Sequence, residues 1–390
     1  MSFLKRRTTI TGVCMALLAS MLVPLEARGE CRTGTYDAGG ANPASYLVCV
    51  PDDWNGDLVV FAHGYVGPQE PLAVVDYTLP PDGAPVSGII TGMGYAYAST
   101  SYSDNGLVIA QAVEDIRVLV ELFPSISETG VSPARVYMVG ASEGGLVAAL
   151  AMERNPVFTG GLAACGPVGD FRKQIDYFGD FLVLFNYFFP GVLASFTDSG
   201  EAPTPEHIPA ELMERWDAVQ AAALAALERN PPARSQLLRV SGIAADPEDP
   251  LSAQSVLAVL WYGIFATNDA IDKLGGRPYD NSRRWYTGSK NDFRLNLRIP
   301  RFHADAEAVV AMGKGYRTSG SLLGPLVTLH TTADPTVPYW HEPIYNLKTL
   351  IAGSLLRHLN IPVVRYGHCR FDQSELLTAF AILRLMAAGR

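Results

Sequence analysis

The sequence predicts an α/β fold, a mostly parallel sheet with helices on both faces, interrupted late in the chain by an inserted helical cap. Three observations carry this. Short β-prone runs alternate with helical patterns near both ends of the chain, and the alternation stops between about residues 170 and 320. The pentapeptide Gly140-Ala141-Ser142-Glu143-Gly144 stands between an apolar, strand-like run and a helix-forming run.

Residues 1–29 read as a secretory signal peptide. Lys5-Arg6-Arg7 supplies the positive region, residues 8–25 carry no charge, and Ala27 and Gly29 offer small residues for cleavage. Arg6-Arg7 also fits twin-arginine export. The alternative is a membrane anchor, but the uncharged stretch holds Thr8, Thr9, Thr11, Ser20 and Pro24 and is short for a bilayer. A secreted or periplasmic protein with no stable membrane anchor after cleavage is therefore expected. Removing the signal takes Cys14 and leaves Cys31, Cys49, Cys165 and Cys369, an even number that suggests two disulfides with three possible pairings. Cys31 and Cys49 flank a hairpin-like segment and are expected to pair locally, which leaves Cys165 and Cys369 for the second bridge.

Strands are expected at 46–50, 58–62 and 95–100, each bounded by Pro, Gly, Asp or Asn. Ile109, Val113, Ile116 and Val120 recur at helical spacing, which predicts a helix over 107–123 ending before Pro124. A strand at 135–139, a helix at 146–154 and an apolar strand near 161–164 follow. Late in the chain come a strand at 325–331, a helix at 343–359, a strand at 361–366 and a last helix at 373–388. The core thus comprises residues 30–169 and 320–390, with 170–319 as the cap. Inside the cap, helices are expected at 209–229 and 253–273. Phe178, Phe181, Phe185 and Phe189 share one helix face, which either packs within the cap or lines the apolar side of a substrate pocket.

Apolar residues make up 48% of the chain and charged residues 18%, enough for a substantial buried core. A net charge of −9 and the lack of a Lys/Arg stripe argue against nucleic acid as a partner. No His, Cys, Asp or Glu cluster has zinc-like spacing and no Gly-rich phosphate loop carries a lysine, so neither metal nor cofactor is expected.

The pentapeptide has the form Gly-x-Ser-x-Gly in strand-to-helix context, a turn that lifts Ser142 clear of the sheet. Serine needs a base oriented by a carboxylate, and on a parallel sheet the chain order is nucleophile, acid, histidine. His63 precedes Ser142, His207 and His303 fall in the cap, His330 lies in a strand-like run, and His341 and His358 fall at or in an expected helix. His368 follows the last strand on a loop opened by Gly367, where such sheets place ligands. Asp334, in the loop Thr331 to Pro338 after the preceding strand, is the expected acid, with Asp170 as the fallback. Oxyanion donors are expected from the backbone N–H of Glu143 and, on the loop His63-Gly64-Tyr65, from the N–H of Tyr65, with Gly64 as alternative. His63 is read as a structural hydrogen-bonder. Tyr102, Asp104 and Asn105 lie on a loop that can border the expected cleft, with Asn105-Gly106 read first as a turn before the helix, and Arg283, Arg284, Trp285 and Tyr286 stay unassigned.

With Ser142, Asp334, His368 and the His-Gly-Tyr loop together, the core resembles the α/β-hydrolase superfamily over roughly residues 45–169 and 320–390. The pair His368-Cys369 resembles the histidine-cysteine pair of tannases and feruloyl esterases, whose cysteine is bridged to one adjoining the nucleophile. Here Ala141 precedes Ser142 and Cys165 is the nearest candidate, so a Cys165–Cys369 bridge would pin the histidine loop to the sheet. The resemblance implies an exported serine hydrolase cleaving a small-molecule carboxylic ester, apolar or aromatic given the cap, through an acyl-enzyme. Two other readings compete. A peptidase resembling prolyl or tripeptidyl aminopeptidases shares the core, and so does a catalytically silent binding module.

Overall fold

Among the described residues eight of the ten strands form one sheet, and their burial explains why the sheet is at the centre. The computed structural model describes residues 29–79 and 83–389. The expected signal peptide, apart from Gly29, lies outside the described residues. In chain order the strands are β1 (Glu30–Tyr36), β2 (Ala44–Val50), β3 (Asp57–Ala62), the short pair β4 (Thr78–Leu79) and β5 (Ala84–Pro85), β6 (Ala96–Thr100), β7 (Arg135–Ala141), β8 (Gly160–Ala164), β9 (Leu326–Ala333) and β10 (His358–Tyr366). The main sheet runs β1-β2-β6-β3-β7-β8-β9-β10, with β4 and β5 pairing separately. β2 is antiparallel to both neighbours and every pair from β6 to β10 is parallel. The central strands β6 and β8 are buried along their whole length, as a parallel sheet covered on both faces requires.

Helices α1 (Val86–Gly92), α2 (Ile109–Ile126) and α3 (Glu143–Arg154) belong to the first part of the core. α2 runs through Pro124 instead of stopping before it. Near a helix end the missing N–H removes a single ladder bond, so the last turn survives. The cap follows β8 and holds α4 (Phe171–Phe188), α5 (Ala210–Glu214), α6 (Trp216–Arg229), α7 (Pro231–Ser241), α8 (Ala253–Phe265), α9 (Thr267–Leu274), α10 (Asp292–Arg298) and α11 (Ala306–Gly315). Both long cap helices expected from the sequence are split in two. The sequence reading missed α7 because Pro231-Pro232 looks like a breaker, yet both prolines occupy the first turn, where no N–H is needed, and Asn230 caps the Ala233 N–H.

The core closes with α12 (His341–Ile351) and α13 (Gln373–Ala388). α12 is shorter than the expected 343–359 helix. It gives way to Gly353 at φ +71°, and β10 starts at His358, three residues before the expected strand. α13 matches its expected span and opens with a reciprocal cap between Asp372 and Glu375. One hydrophobic cluster lies on each face of the sheet, and a third, built from Phe181, Phe185, Leu260, Ile264 and their neighbours, is the cap's own core.

Candidate active site

β7 ends at Ala141 and α3 begins at Glu143, so Ser142 alone makes the turn, at φ +56° and ψ −122°. A side chain rarely adopts that conformation, and it persists because the surroundings leave no other path. A Cβ on Gly140 would lie 1.9 Å from the Gly144 carbonyl oxygen, and one on Gly144 would lie 2.1 Å from the Ala62 carbonyl oxygen. The Ser142 N–H donates to the Ala164 carbonyl at 2.9 Å, tying the turn to β8. The start of α3 then sits directly beneath the serine and favours negative charge there.

Ser142 Oγ lies 2.8 Å from His368 Nε2, and His368 Nδ1 lies 2.7 Å from Asp334 Oδ2. Three residues separated by 192 and 34 positions are thus joined in one hydrogen-bonded line at the carboxyl ends of β7, β9 and β10. His368 is partly open to the cleft, whereas Asp334 is buried. Asp334 Oδ1 accepts from the Thr336 and Val337 N–H groups at 2.8 and 2.9 Å, which fixes the carboxylate plane. Burial alone would raise the Asp334 pKa. The facing His368, its hydrogen bond and the nearby His330 overcome it and hold the group well below the usual carboxylate range. Asp170 takes no part in this line. It caps α4 by accepting from the Lys173 N–H.

Behind Asp334 the structure adds two residues that sequence reasoning did not assign. His330, fully buried in β9, places Nδ1 2.9 Å from Glu342 Oε1, and its Nε2 bonds the Val337 carbonyl oxygen at 2.8 Å and lies 3.6 Å from Asp334 Oδ2. Burial acts to lower the His330 pKa, but the bond to Glu342 and the nearby Asp334 carboxylate carry it up to about 10. A positive imidazole thus sits between two buried carboxylates. The signal was weak, since a lone histidine in an apolar strand reads as core.

The loop His63-Gly64-Tyr65 runs against the turn at Ser142. A Cβ on Gly64 would meet Ser142 Cβ at 3.2 Å, so the backbone on which the Tyr65 and Glu143 N–H groups lie brackets the serine. His63 itself stacks on Tyr102 with ring centres 3.9 Å apart and bonds Gly64 O through Nδ1 at 2.7 Å. The Tyr102 hydroxyl donates to the His63 carbonyl at 3.0 Å. Asp104 and Asn105 face the cap: Lys273 of α9 pairs with Asp104 at 3.1 Å and with Asp269 at 2.9 Å, and Asp269 accepts the Leu107 N–H at 2.7 Å.

Two cavities open on Ser142. The larger, about 460 Å³, is walled mainly by apolar side chains of β3, β8, α1 and α13, and also touches His368 and Cys369. The smaller, about 60 Å³, lies under the cap between Tyr65, Glu143, Phe178 and Tyr262. Phe178 leaves the cap core for this wall and stacks on Tyr262 at 4.8 Å, while Phe181, Phe185 and Phe189 stay buried in the cap. Tyr262 was not assigned from sequence, because the cap offers no spacing rule. It lines both cavities together with Ser142. Burial raises the Tyr262 pKa far above neutral and keeps the phenol a donor. Among the unassigned cap residues, Arg284 is tied to Asp176 and Asp180 of α4, Tyr286 donates to Asp180 at 2.6 Å, and Trp285 is exposed on the surface.

The disulfides pair Cys31 with Cys49 and Cys165 with Cys369. The first joins directly opposed residues of β1 and β2. The second binds the end of β8 to the residue after His368, and both of its cysteines have positive φ. Among the described residues no helix is long and apolar enough to cross a membrane.

No protein-family model and no curated protein matches the sequence. Among solved structures, feruloyl esterase B from Aspergillus oryzae is similar at 14% identity and TM-score 0.48, over 88% of this chain and 74% of that one. An acylaminoacyl peptidase from Pyrococcus horikoshii is similar at 12% identity and TM-score 0.48, over 92% of this chain and 42% of that one. A putative dipeptidyl aminopeptidase IV from Bacteroides ovatus is similar at 13% identity and TM-score 0.46, over 93% of this chain. The chain spans 36% of the length of that last protein. The strand order, with its single reversed strand β2 and its serine turn between β7 and α3, is that of the α/β-hydrolase fold.

Proposed function

We propose that the chain is an exported serine hydrolase that cleaves carboxylic esters through an acyl-enzyme. The observation that carries this reading is the unbroken line Ser142–His368–Asp334 opening onto a largely apolar cavity. His368 Nε2 takes the Ser142 proton as Oγ attacks the ester carbonyl. Asp334 holds the Nδ1–H tautomer and stabilises the imidazolium. The backbone N–H groups of Tyr65 and Glu143 receive the oxyanion, helped by the first turn of α3. His368 then returns the proton to the leaving alcohol, and a water activated by the same imidazole releases the acid.

The apolar lining of the larger cavity supports an apolar or aromatic group on one side of the ester. No metal or cofactor enters this chemistry. Export to an oxidising compartment agrees with the two disulfides and with the leader-like first 29 residues. Replacing Ser142 by Ala is expected to abolish p-nitrophenyl ester hydrolysis, a loss of at least about 10⁴-fold in kcat. Retained turnover would contradict the assignment. A matched peptide anilide should be cleaved far more slowly than the ester, and the reverse ranking would favour a peptidase.

A further inference from the structure

The smaller cavity beside Ser142 is lined by Glu143 and Tyr65, whose Oε1 and hydroxyl oxygen are buried without hydrogen-bond partners. Such atoms are uncommon in a folded interior, where polar groups are otherwise hydrogen-bonded. Both side chains line the same space, and Glu143 is buried to more than nine-tenths. Apart from Thr336 and Gln174, the latter already engaged with Thr336 and His341, the other wall residues are aromatic or aliphatic. The cavity is thus apolar along its sides and polar at one point, next to the candidate nucleophile.

We propose that this cavity is a substrate subsite in which the Glu143 carboxyl and the Tyr65 phenol hydrogen-bond a neutral hydroxyl carried on a two- or three-carbon substituent of the ester. This rests on the serine-hydrolase reading and deepens it. The size follows from the volume: about 60 Å³ is several times the roughly 10–15 Å³ that one water requires and falls well short of the roughly 150 Å³ that encloses a benzene ring. An aromatic group therefore belongs in the larger cavity and a short chain in the smaller one.

The preference for a neutral partner follows from the surrounding charges. Lys273 and Asp269 act on Glu143 with opposite sign and are paired with each other, so an ammonium group entering the cavity would meet apolar walls and no free anion to replace its water. Burial keeps the Glu143 carboxyl protonated up to about pH 8, with only partial relief from the Val108 N–H and Lys273. A protonated carboxyl and a phenol each donate and accept, and so does an alcohol, so the three groups can satisfy one another. A site built in this way discriminates against an analogue lacking the hydroxyl, because its own polar atoms then stay unpaired.

The test uses two series of esters with the wild-type enzyme. In the acyl series the leaving group is p-nitrophenol and the acid is propanoate, 3-hydroxypropanoate or 3-ammoniopropanoate. In the alcohol series a long-chain acid is esterified with ethanol, ethylene glycol or ethanolamine. The expected result is a kcat/KM at least about tenfold higher for the hydroxylated member of one series, with the ammonium member slowest. Glu143→Leu should erase that preference, Glu143→Gln should keep most of it, and Tyr65→Phe should reduce it. Fluorophosphonate labelling of Ser142 in each variant reports that the site is still assembled. Equal rates for plain and hydroxylated esters in both series, or preference for the ammonium member, with Ser142 labelled, would overturn the subsite alone. No ester turnover and no labelling of Ser142 would overturn the hydrolase reading and the subsite with it.

Discussion

Ser142 occupies a backbone conformation that costs free energy, on the order of 1–3 kcal/mol, and the surrounding glycines show what makes it tolerable. Gly140 and Gly144 let the strand, the turn and the neighbouring carbonyls pass at distances a side chain would block. Asp334 is held with equal care, by two backbone N–H groups on one oxygen and His368 on the other. Behind it, His330 gives the buried acid a cation and Glu342 balances that cation. The raised His330 pKa has a definite sign in stability. Its contribution is complete below the unfolded value near 6.5 and is lost as pH rises toward about 10. The stability difference between wild type and His330→Gln should therefore shrink between pH 6 and pH 10. Urea unfolding at both pH values measures it, and a constant or growing difference would count against a charged His330. The residues of the hydrogen-bonded line were legible in the sequence because chain order and loop position select them from seven histidines. His330, Glu342 and Tyr262 were not. Their roles come from packing across distant segments, which leaves no local spacing to read.

At the level of elements, β8 and the loop after β10 form a unit through Cys165–Cys369. The bridge closes 204 residues of chain and fixes the residue next to His368. Replacing both cysteines by serine should lower stability by about 2–5 kcal/mol and reduce kcat more than KM, since the imidazole loses its anchor. Denaturant midpoints and ester kinetics on the double variant test the two effects separately. Unchanged kcat in a less stable protein would show the bridge to be structural only. Element positions were largely readable from periodicity, whereas element ends followed local chemistry that periodicity does not report. α2 passes Pro124, α12 stops short of Gly353, and α7 begins with two prolines. In each case proline or glycine acts according to its place within a helical turn, which the sequence pattern does not reveal.

For the molecule as a whole, the cap completes the site in addition to covering it. It has its own apolar core, so it holds its shape, and it is fastened to the sheet domain at the points that matter for chemistry. Tyr177 donates to the Pro335 carbonyl and Gln174 to the Thr336 carbonyl, bracing the Asp334 loop from α4. Asp269 and Lys273 grip the loop from Asp104 to Leu107. Tyr262 of α8 lines both cavities beside Ser142. Tyr262→Phe should thus lower kcat about tenfold while leaving thermal stability nearly unchanged, the effect of losing one donor near developing charge. An unaffected kcat would reduce the cap to a wall. The insertion as a helical unit was visible from the broken strand rhythm, but which of its aromatics meet the serine depended on helix breaks that only the fold displays. All of these roles rest on Ser142 being the nucleophile. Reaction with a fluorophosphonate followed by peptide mass spectrometry tests that most directly. One adduct per chain on the Ser142 peptide, with matching loss of ester hydrolysis and no adduct in Ser142→Ala, is the predicted result; hydrolysis that survives without an adduct on Ser142 would contradict it.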